Sequence, residues 1–203
     1  MIKMALDSHT RNMLDNSSYH EHSMIIYEDL DTFREVYCKY TKEALDENNE
    51  FVVIATTYET PESVRQLLIN YGLDAHKHEA DGSLHIVDSV AAYQSADIYG
   101  MMKLLKTLAA GAKKQGKAGI FNLSDMGSFF MANRQGDLLT YELSIPRNVD
   151  IAIKGYCCYH KIDFERNLSD DQKTHLLGHH ARSIVASTYG SRPQFEQWSG
   201  EAA

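Results

Sequence analysis

The sequence predicts an α/β protein, a three-layer sandwich in which helices cover both faces of a mainly parallel central sheet. Two observations predict this class. From residue 22 onward, short apolar runs alternate with amphipathic stretches, which is typical of strands that alternate with helices. The run FVVIATT, residues 51–57, is almost entirely apolar and β-branched, as expected for a strand that is buried on both faces of a parallel sheet.

The 203 residues predict one domain with tails, because a chain of this length can bury a single core. We expect that domain over residues 21–189. Residues 1–20 mix polar and apolar positions and are equally compatible with a short helix and an extended arm. Residues 190–203 are expected to form a disordered tail.

Periodicity and capping residues predict the individual elements. The segment 30–47 places its apolar side chains on one helical face. Thr60-Pro61-Glu62 supplies an N-cap, a proline at the first helical position and an acid in the first turn. The predicted strands are 23–27, 51–57, 84–87, 118–123, 151–158 and 183–186; the predicted helices are 30–47, 61–71, 97–114 and one capped by Ser169; and a polar hairpin carries His76 and His78.

Composition excludes several classes of partner. The formal net charge of -8 argues against a general nucleic-acid surface, because phosphate binding depends on clustered Lys and Arg. The basic segment 103–117 has apolar residues at helical spacing and is interpreted as a solvated helix face. No apolar run approaches the ~20 residues of a membrane span, and three cysteines without a CxxC pair are typical of a reducing compartment. We expect a soluble, cytoplasmic protein with no nucleic-acid or membrane partner.

The stretch MIIYEDLDTFRE, residues 24–35, runs from a strand into a helix, where many α/β proteins hold a phosphate. A phosphate loop of the form G-x-x-x-x-G-K-[ST] needs two glycines, a lysine and a hydroxyl. Laid from Glu28, that template meets Glu28, Phe33, Arg34 and Glu35 at its four defining positions. Only one positive charge remains beside several acids, so the sequence predicts a degenerate phosphate loop that binds no ATP.

The order of these motifs resembles a known group of proteins. The segments SMIIYEDLDTF, EFVVIATTYETPESVRQLLINYGLDA and GSLHIVDS resemble RecA-like ATPases of the KaiC type. Within that group, the version with an eroded phosphate loop is the MEDS domain, the sensory module of methanogen and methylotroph regulators such as DcmR. The segments 22–27, 155–160 and 174–186 resemble its opening His and strand, its C-x-Y strand and its closing helix, His and strand, although either His179 or His180 could correspond to the family His.

The resemblance spans about residues 20–187 and implies a RecA-like, P-loop NTPase-like sandwich that has lost ATP hydrolysis. It implies a non-catalytic sensory or signalling module without a cofactor, for which the family's proposed ligands are small hydrocarbon derivatives. Because no second domain's worth of residues remains, we expect the chain to act through a small organic ligand, a signalling protein or self-assembly into a homo-oligomer.

Ligands of parallel α/β sheets bind at the carboxyl ends of the strands, which predicts the candidate site. Glu59 is the strongest single candidate and is interpreted as a pocket acid. The alternative is a divergent ATPase in which Glu59 activates water and Arg34 replaces the lysine, with Asn122 or Asp125 at the position of a Mg²⁺-holding acid. The predicted ligand-binding residues are Tyr27, Arg34, Thr57, Tyr58, Glu59, Asp88, Tyr93, Asn122 and Asp125.

Ten histidines raise a metal alternative, whose weak candidates are His160, His175 and His179. His175 and His179 lie four apart and would share a helix face, but a stable Zn²⁺ site needs further ligands such as Cys157 or Cys158. Histidines at a helix end are more often solvated, so the sequence predicts no metal site. The sequence also predicts that His22 packs or hydrogen-bonds at the sheet edge and that Cys157 and Cys158, pointing to opposite faces of a strand, are buried small residues.

Overall fold

The strands of the computed structural model, which describes residues 5–94 and 99–189, pair into one parallel sheet. Its order is β3-β2-β4-β5-β1-β6, and each pair of neighbours is parallel. The predicted three-layer α/β sandwich with a parallel sheet is thereby confirmed. The strands are β1 (Glu21–Tyr27), β2 (Phe51–Thr56), β3 (Leu84–Asp88), β4 (Ile120–Asp125), β5 (Ile153–His160) and β6 (Ser183–Ala186).

The helix caps predicted at Thr60 and Ser169 are present, and Asp29 caps a third helix. Each of the three accepts a hydrogen bond from a backbone N–H in the first turn of its helix, and Ser169 forms a capping box with Gln172. The helices are α1 (Ser8–Asp15), α2 (Leu30–Asp46), α3 (Pro61–Asn70), α4 (Ala75–Ala80), α5 (Ser89–Gln94), α6 (Gly100–Lys114), α7 (Gly127–Met131), α8 (Gln135–Ser144), α9 (Lys161–Asn167) and α10 (Asp170–His179).

Side chains along each strand point alternately to the two faces of the sheet, so the protein has two hydrophobic cores, one on each face. On one face, Ile25, Ile54 and Leu123 pack under α1, α2 and α3. On the other face, Met24 and Val53 pack under α5 to α10. Successive strand residues therefore belong to different cores, which decides the surroundings of every candidate residue.

Of the two alternatives for residues 1–20, the structure has the short helix, at residues 8–15, and Leu6 pairs with Thr188 in an antiparallel bridge. Other local expectations differ from the structure. The predicted hairpin around His76 and His78 is wrong, because Asp74 caps the short helix α4 there. The sequence did not predict α5, α7, α8 or α9. The predicted disordered tail, 190–203, lies outside the described residues, and none of the helices in the described part is long and apolar enough to cross a membrane.

The start of β4 depends on a close backbone approach at Gly119. A Cβ atom on Gly119 would lie 2.6 Å from the carbonyl oxygen of Ala152 and 2.6 Å from a ring carbon of Tyr19. We expect Gly119→Ala to lower the free energy of unfolding by about 1–3 kcal/mol, measured by urea unfolding. The control is Gly111→Ala on α6, where the nearest atom would be 3.8 Å away. That variant should unfold at the same or a higher urea concentration than the wild type, and equal losses in both variants would contradict the packing described.

Candidate functional site

Aromatic side chains lie together at the carboxyl ends of β1, β2 and β5. The ring of Tyr27 stacks on Phe33, with centroids 4.5 Å apart, and the edge of His160 meets Tyr27 at 5.4 Å. Tyr58 packs 5.8 Å from His160 and directly on the backbone of Gly127, where a Cβ would lie 2.6 Å from the Tyr58 hydroxyl. These rings occupy the space between the strand ends.

Arg34 and Glu59 form an ion pair beside this aromatic cluster. Arg34 donates through Nε (3.0 Å) and Nη2 (2.9 Å) to one carboxylate oxygen of Glu59, and the hydroxyl of Tyr37 donates to the other at 3.1 Å. The hydrogen bond to Glu59 raises the pKa of Arg34. Both carboxylate oxygens and much of the guanidinium are thus bound within the protein.

Asp125 is a buried acid at the end of β4. Its carboxylate accepts hydrogen bonds from the hydroxyl of Tyr27 (3.1 Å) and the backbone N–H of Gly127 (2.9 Å). The hydroxyl of Thr57 donates to the backbone carbonyl of Asp125 at 3.3 Å. Burial raises the pKa of Asp125 to about 7 although these hydrogen bonds oppose the shift.

The nine residues predicted to bind a ligand do not all lie at one site. Tyr27, Arg34, Thr57, Tyr58, Glu59 and Asp125 lie in the connected set of contacts at the carboxyl edge. Asp88 ends β3 but uses its carboxylate to accept hydrogen bonds from the first backbone amides of α5. Tyr93 and Asn122 lie on the other face of the sheet. Ligand binding by these residues stays a prediction.

A cavity of about 30 Å³ lies on that other face, between the sheet and helices α6 and α8. The strand register explains the cavity. Gly155 pairs with His22 on one side and with Asn122 on the other, so these three residues form a row across the sheet, and the residue in the middle of the row has no side chain. The polar residues of the lining include Glu21, His22, Asn122, Ser124 and Cys157. The apolar lining residues are Met102, Leu105, Tyr141, Ile145, Val149, Ile151 and Ile153.

Four buried polar side chains gather in and behind the wall of this cavity: His22, Glu142, Cys157 and His180. Their ligand-type atoms all lie within 4.8 Å of one another, and each residue is at most 5% exposed. Burial lowers the pKa of His22 and raises that of Cys157. Burial also disfavours the charge on Glu142, but the two neighbouring histidines outweigh it and lower the Glu142 pKa.

The three histidines taken from the sequence as metal candidates lie outside this cluster, whereas Cys157, named there as a possible further ligand, belongs to it. His160 accepts a hydrogen bond from the N–H of Ile162 at the start of α9, His175 is exposed, and the ring nitrogen Nε2 of His179 lies 2.7 Å from the carbonyl of Ile145. The prediction that His22 lies at the sheet edge is wrong, because β1 lies between β5 and β6. Sequence reasoning missed Glu142, since it lies on α8, a helix that was not predicted.

A larger, polar hollow of about 330 Å³ lies at the amino end of the sheet. Its buried carboxylate, Glu50, accepts a hydrogen bond from Tyr19 and forms an ion pair with Lys154 at 2.9 Å. Lys39 pairs with Glu43 at 2.7 Å. Much of the charge in this hollow is therefore paired within the protein.

The buried carboxyl of Asp125 makes the stability of the fold depend on pH. In the unfolded chain this carboxyl ionises near pH 4, whereas in the folded chain its pKa is about 7. The folded state therefore holds the proton more tightly, and the stability that Asp125 contributes is fully present below about pH 4 and is lost as the pH rises to about 7.

We expect the wild type to lose on the order of a few kcal/mol relative to Asp125→Asn between about pH 4 and pH 8, because the amide does not ionise. Urea unfolding at a series of pH values measures this difference. The exposed Asp171→Asn on α10 controls for the loss of a charge and should follow the wild type. Parallel curves for the wild type and Asp125→Asn would contradict a raised pKa.

Comparison with known proteins bears on the whole domain. The model of the MEDS family, "MEthanogen/methylotroph, DcmR Sensory domain", matches residues 21–181, and no curated protein matches the chain. Among solved structures, the chain is similar to a KaiC-like protein from the hyperthermophilic archaeon Pyrococcus horikoshii OT3, with 14% identity, a TM-score of 0.45, and coverage of 70% of this chain and 61% of that one. Since the family model covers most of the chain, including the strands that carry both the aromatic edge and the cavity, this protein belongs to the MEDS family of sensory domains.

Proposed function

We propose that this chain is a non-catalytic sensory domain that binds a small organic molecule in the cavity beside Gly155. The observation that carries the proposal is the lining of that cavity, which is mostly apolar with polar groups from His22, Asn122 and Cys157. Such a lining is typical of small-molecule sites, in which apolar contacts supply affinity and a few polar groups fix orientation.

The size of the cavity restricts the ligand class. A cavity needs at least about 10–15 Å³ to hold one water molecule. The cavity of about 30 Å³ therefore admits a ligand of about two or three non-hydrogen atoms. Its apolar part would contact Leu105 and Ile145, and a hydroxyl or thiol would reach Asn122 or His22. One- and two-carbon alcohols and thiols meet these requirements.

The carboxyl edge predicted from the sequence is the second candidate location. A ligand there would have to displace contacts that the protein already makes, since Arg34 is bound to Glu59 and the rings of Tyr27 and Tyr58 pack on their neighbours. The cavity requires no such displacement. A signalling protein or a second copy of the chain would receive the signal, as the sequence predicts.

The catalytic alternative, an ATPase using Glu59 and Arg34, is disfavoured by the same contacts. A guanidinium that is paired with a carboxylate has little net charge to offer a triphosphate. We therefore expect isothermal titration of ATP with Mg²⁺ to give no saturable heat, and we expect no phosphate release above the buffer level. The variant Arg34→Ala should behave identically.

An ATPase would give the opposite pattern. ATP would bind saturably, Arg34→Ala would weaken that binding, and Glu59→Gln would abolish phosphate release while retaining the bound nucleotide. That set of results would overturn the assignment of a non-catalytic role.

The ligand proposal is tested by filling the cavity. A Cβ atom on Gly155 would meet its nearest neighbours, the carbonyl of Glu21 and a methyl of Ile153, at 3.6 Å, which is ordinary contact. We expect methanol, ethanol and methanethiol to shift the amide NMR signals of the chelator-treated wild type saturably. Gly155→Ala should weaken that binding at least several-fold, because the new methyl group takes space from the ligand.

The matched control is Gly136→Ala on α8, where an added methyl group would have no atom within 4 Å. This variant should bind the probes as the wild type does. Equal affinity of the wild type and Gly155→Ala, or the absence of saturable shifts with all three probes, would contradict the cavity as the ligand site.

A further inference from the structure

We propose that His22, Glu142, Cys157 and His180 bind one divalent transition-metal ion of the Zn²⁺ type. The site goes beyond the sensory role and does not depend on it, because its test needs no organic ligand. The four residues come from four separate parts of the chain: the start of β1, the helix α8, the middle of β5 and the segment between α10 and β6.

The spacing of the donor atoms matches a tetrahedral ion. Bonds of about 2.0–2.1 Å to nitrogen or oxygen and about 2.3 Å to sulfur place neighbouring donors of a tetrahedron about 3.3–3.6 Å apart. The observed separations are 3.1 Å from His22 Nε2 to Glu142 Oε2, 3.3 Å from His180 Nε2 to the same oxygen, and 3.4 Å from His22 Nε2 to Cys157 Sγ. Three of the six donor pairs therefore lie close to the spacing of a tetrahedral site, and all four atoms lie within 4.8 Å of one another.

Two of these donors face each other without a hydrogen bond. The Nδ1 atom of His180 lies 2.7 Å from the carbonyl of Leu176 and can only donate to it, which leaves the lone pair of the neutral ring on Nε2. One oxygen of Glu142 accepts a hydrogen bond from Tyr159. The other oxygen and His180 Nε2 have no hydrogen-bond partner among the described residues although both are buried. A cation between them would satisfy both lone pairs.

Two of the four ligands, His180 and Glu142, are held by contacts that metal sites use, whereas Nδ1 of His22 has no hydrogen-bond partner among the described residues. Backbone carbonyls commonly orient a ligating histidine, and hydrogen bonds orient a ligating carboxylate; Leu176 and Tyr159 make these contacts here. A set of two imidazoles, one thiolate and one carboxylate favours Zn²⁺ or Co²⁺ over Mg²⁺ and Ca²⁺, which prefer oxygen ligands alone. On binding, the Cys157 thiol would lose its proton to solvent and its sulfur would bond the ion.

The other reading of the cluster is a metal-free network in which a protonated histidine pairs with Glu142. It would account for one imidazole next to the carboxylate. The metal-free network does not require the thiol of Cys157 to contact His22. It also does not require a second imidazole, that of His180, whose Nε2 faces the same oxygen of Glu142. The two readings differ in one measurable property, the stoichiometric uptake of a metal ion through sulfur.

Cobalt titration of the chelator-treated full chain tests the site. We expect one Co²⁺ per chain, the strong visible absorption of tetrahedral Co²⁺, a near-ultraviolet thiolate-to-cobalt band, and loss of both signals when one equivalent of Zn²⁺ is added. Cys157→Ala should lose the thiolate band and bind at least about tenfold more weakly. Cys158→Ala makes the same change in volume at the next residue, which is also buried but faces the other core, and should keep both signals.

Two further variants keep the test independent of folding defects. If circular dichroism shows that Cys157→Ala is unfolded, Glu142→Gln, which retains the side-chain shape, should bind at least about tenfold more weakly. His179→Asn, next to the proposed ligand His180, should bind as the wild type does. No uptake of Co²⁺ or Zn²⁺, a weak octahedral spectrum, or equal effects of Cys157→Ala and Cys158→Ala would overturn the site. Since ligand binding in the cavity is measured on metal-free protein, failure of either proposal is distinguishable from failure of the other.

Discussion

The pairing of β5 with β4 on one side and β1 on the other is the constraint on which the rest of the structure depends. This register aligns His22, Gly155 and Asn122 in one row across the sheet and brings Cys157 level with Met24. A shift of one residue would turn every side chain of β5 to the opposite core. The cavity, the buried polar cluster and the aromatic carboxyl edge all require this one alignment.

The buried cluster opposes folding unless its groups are mutually satisfied. Moving a carboxylate and two imidazoles out of water is costly, and apolar side chains of similar size would pack the same space without that penalty. Most of this core consists of apolar side chains, and Val53 and Leu138, for example, are fully buried. The four polar side chains of the cluster are an exception to that pattern. Departures of this kind are expected at functional sites more than elsewhere.

The sequence predicts the sheet well because its strands are apolar runs separated by capped helices. β2 and α2 were predicted to within a residue, since FVVIATT and the periodic segment after Asp29 allow little else. The short helices α5, α7 and α9 were not predicted, because six, five and seven residues are too few to display a helical period. The missed helix α8 is weakly amphipathic in its sequence, QGDLLTYELS.

The candidate site was predicted only in part, for a different reason. Ligands of parallel sheets bind at the carboxyl ends of the strands. This rule placed Tyr27, Glu59 and Asp125 at one edge of the sheet, where the structure has them. The same rule placed Asn122 at that edge, whereas Asn122 lies in the middle of a strand face and lines the cavity. Glu142 lies 120 positions after His22 in the sequence. Nothing local in the sequence signals their proximity, and only the assembled fold brings them together.

Consecutive residues of β5 link the two faces of the molecule. Cys157 belongs to the buried polar cluster on one side, whereas Cys158 lies close enough to Asp125 on the other for the carboxylate to disfavour its thiolate, and the Cys158 carbonyl accepts the N–H of Met126. A ligand that displaces the β5 backbone at Gly155 would therefore alter the surroundings of Asp125 through Cys158, three residues further along the same strand. Ligand binding on one face of the sheet would then change the ionisation of a carboxyl on the other face.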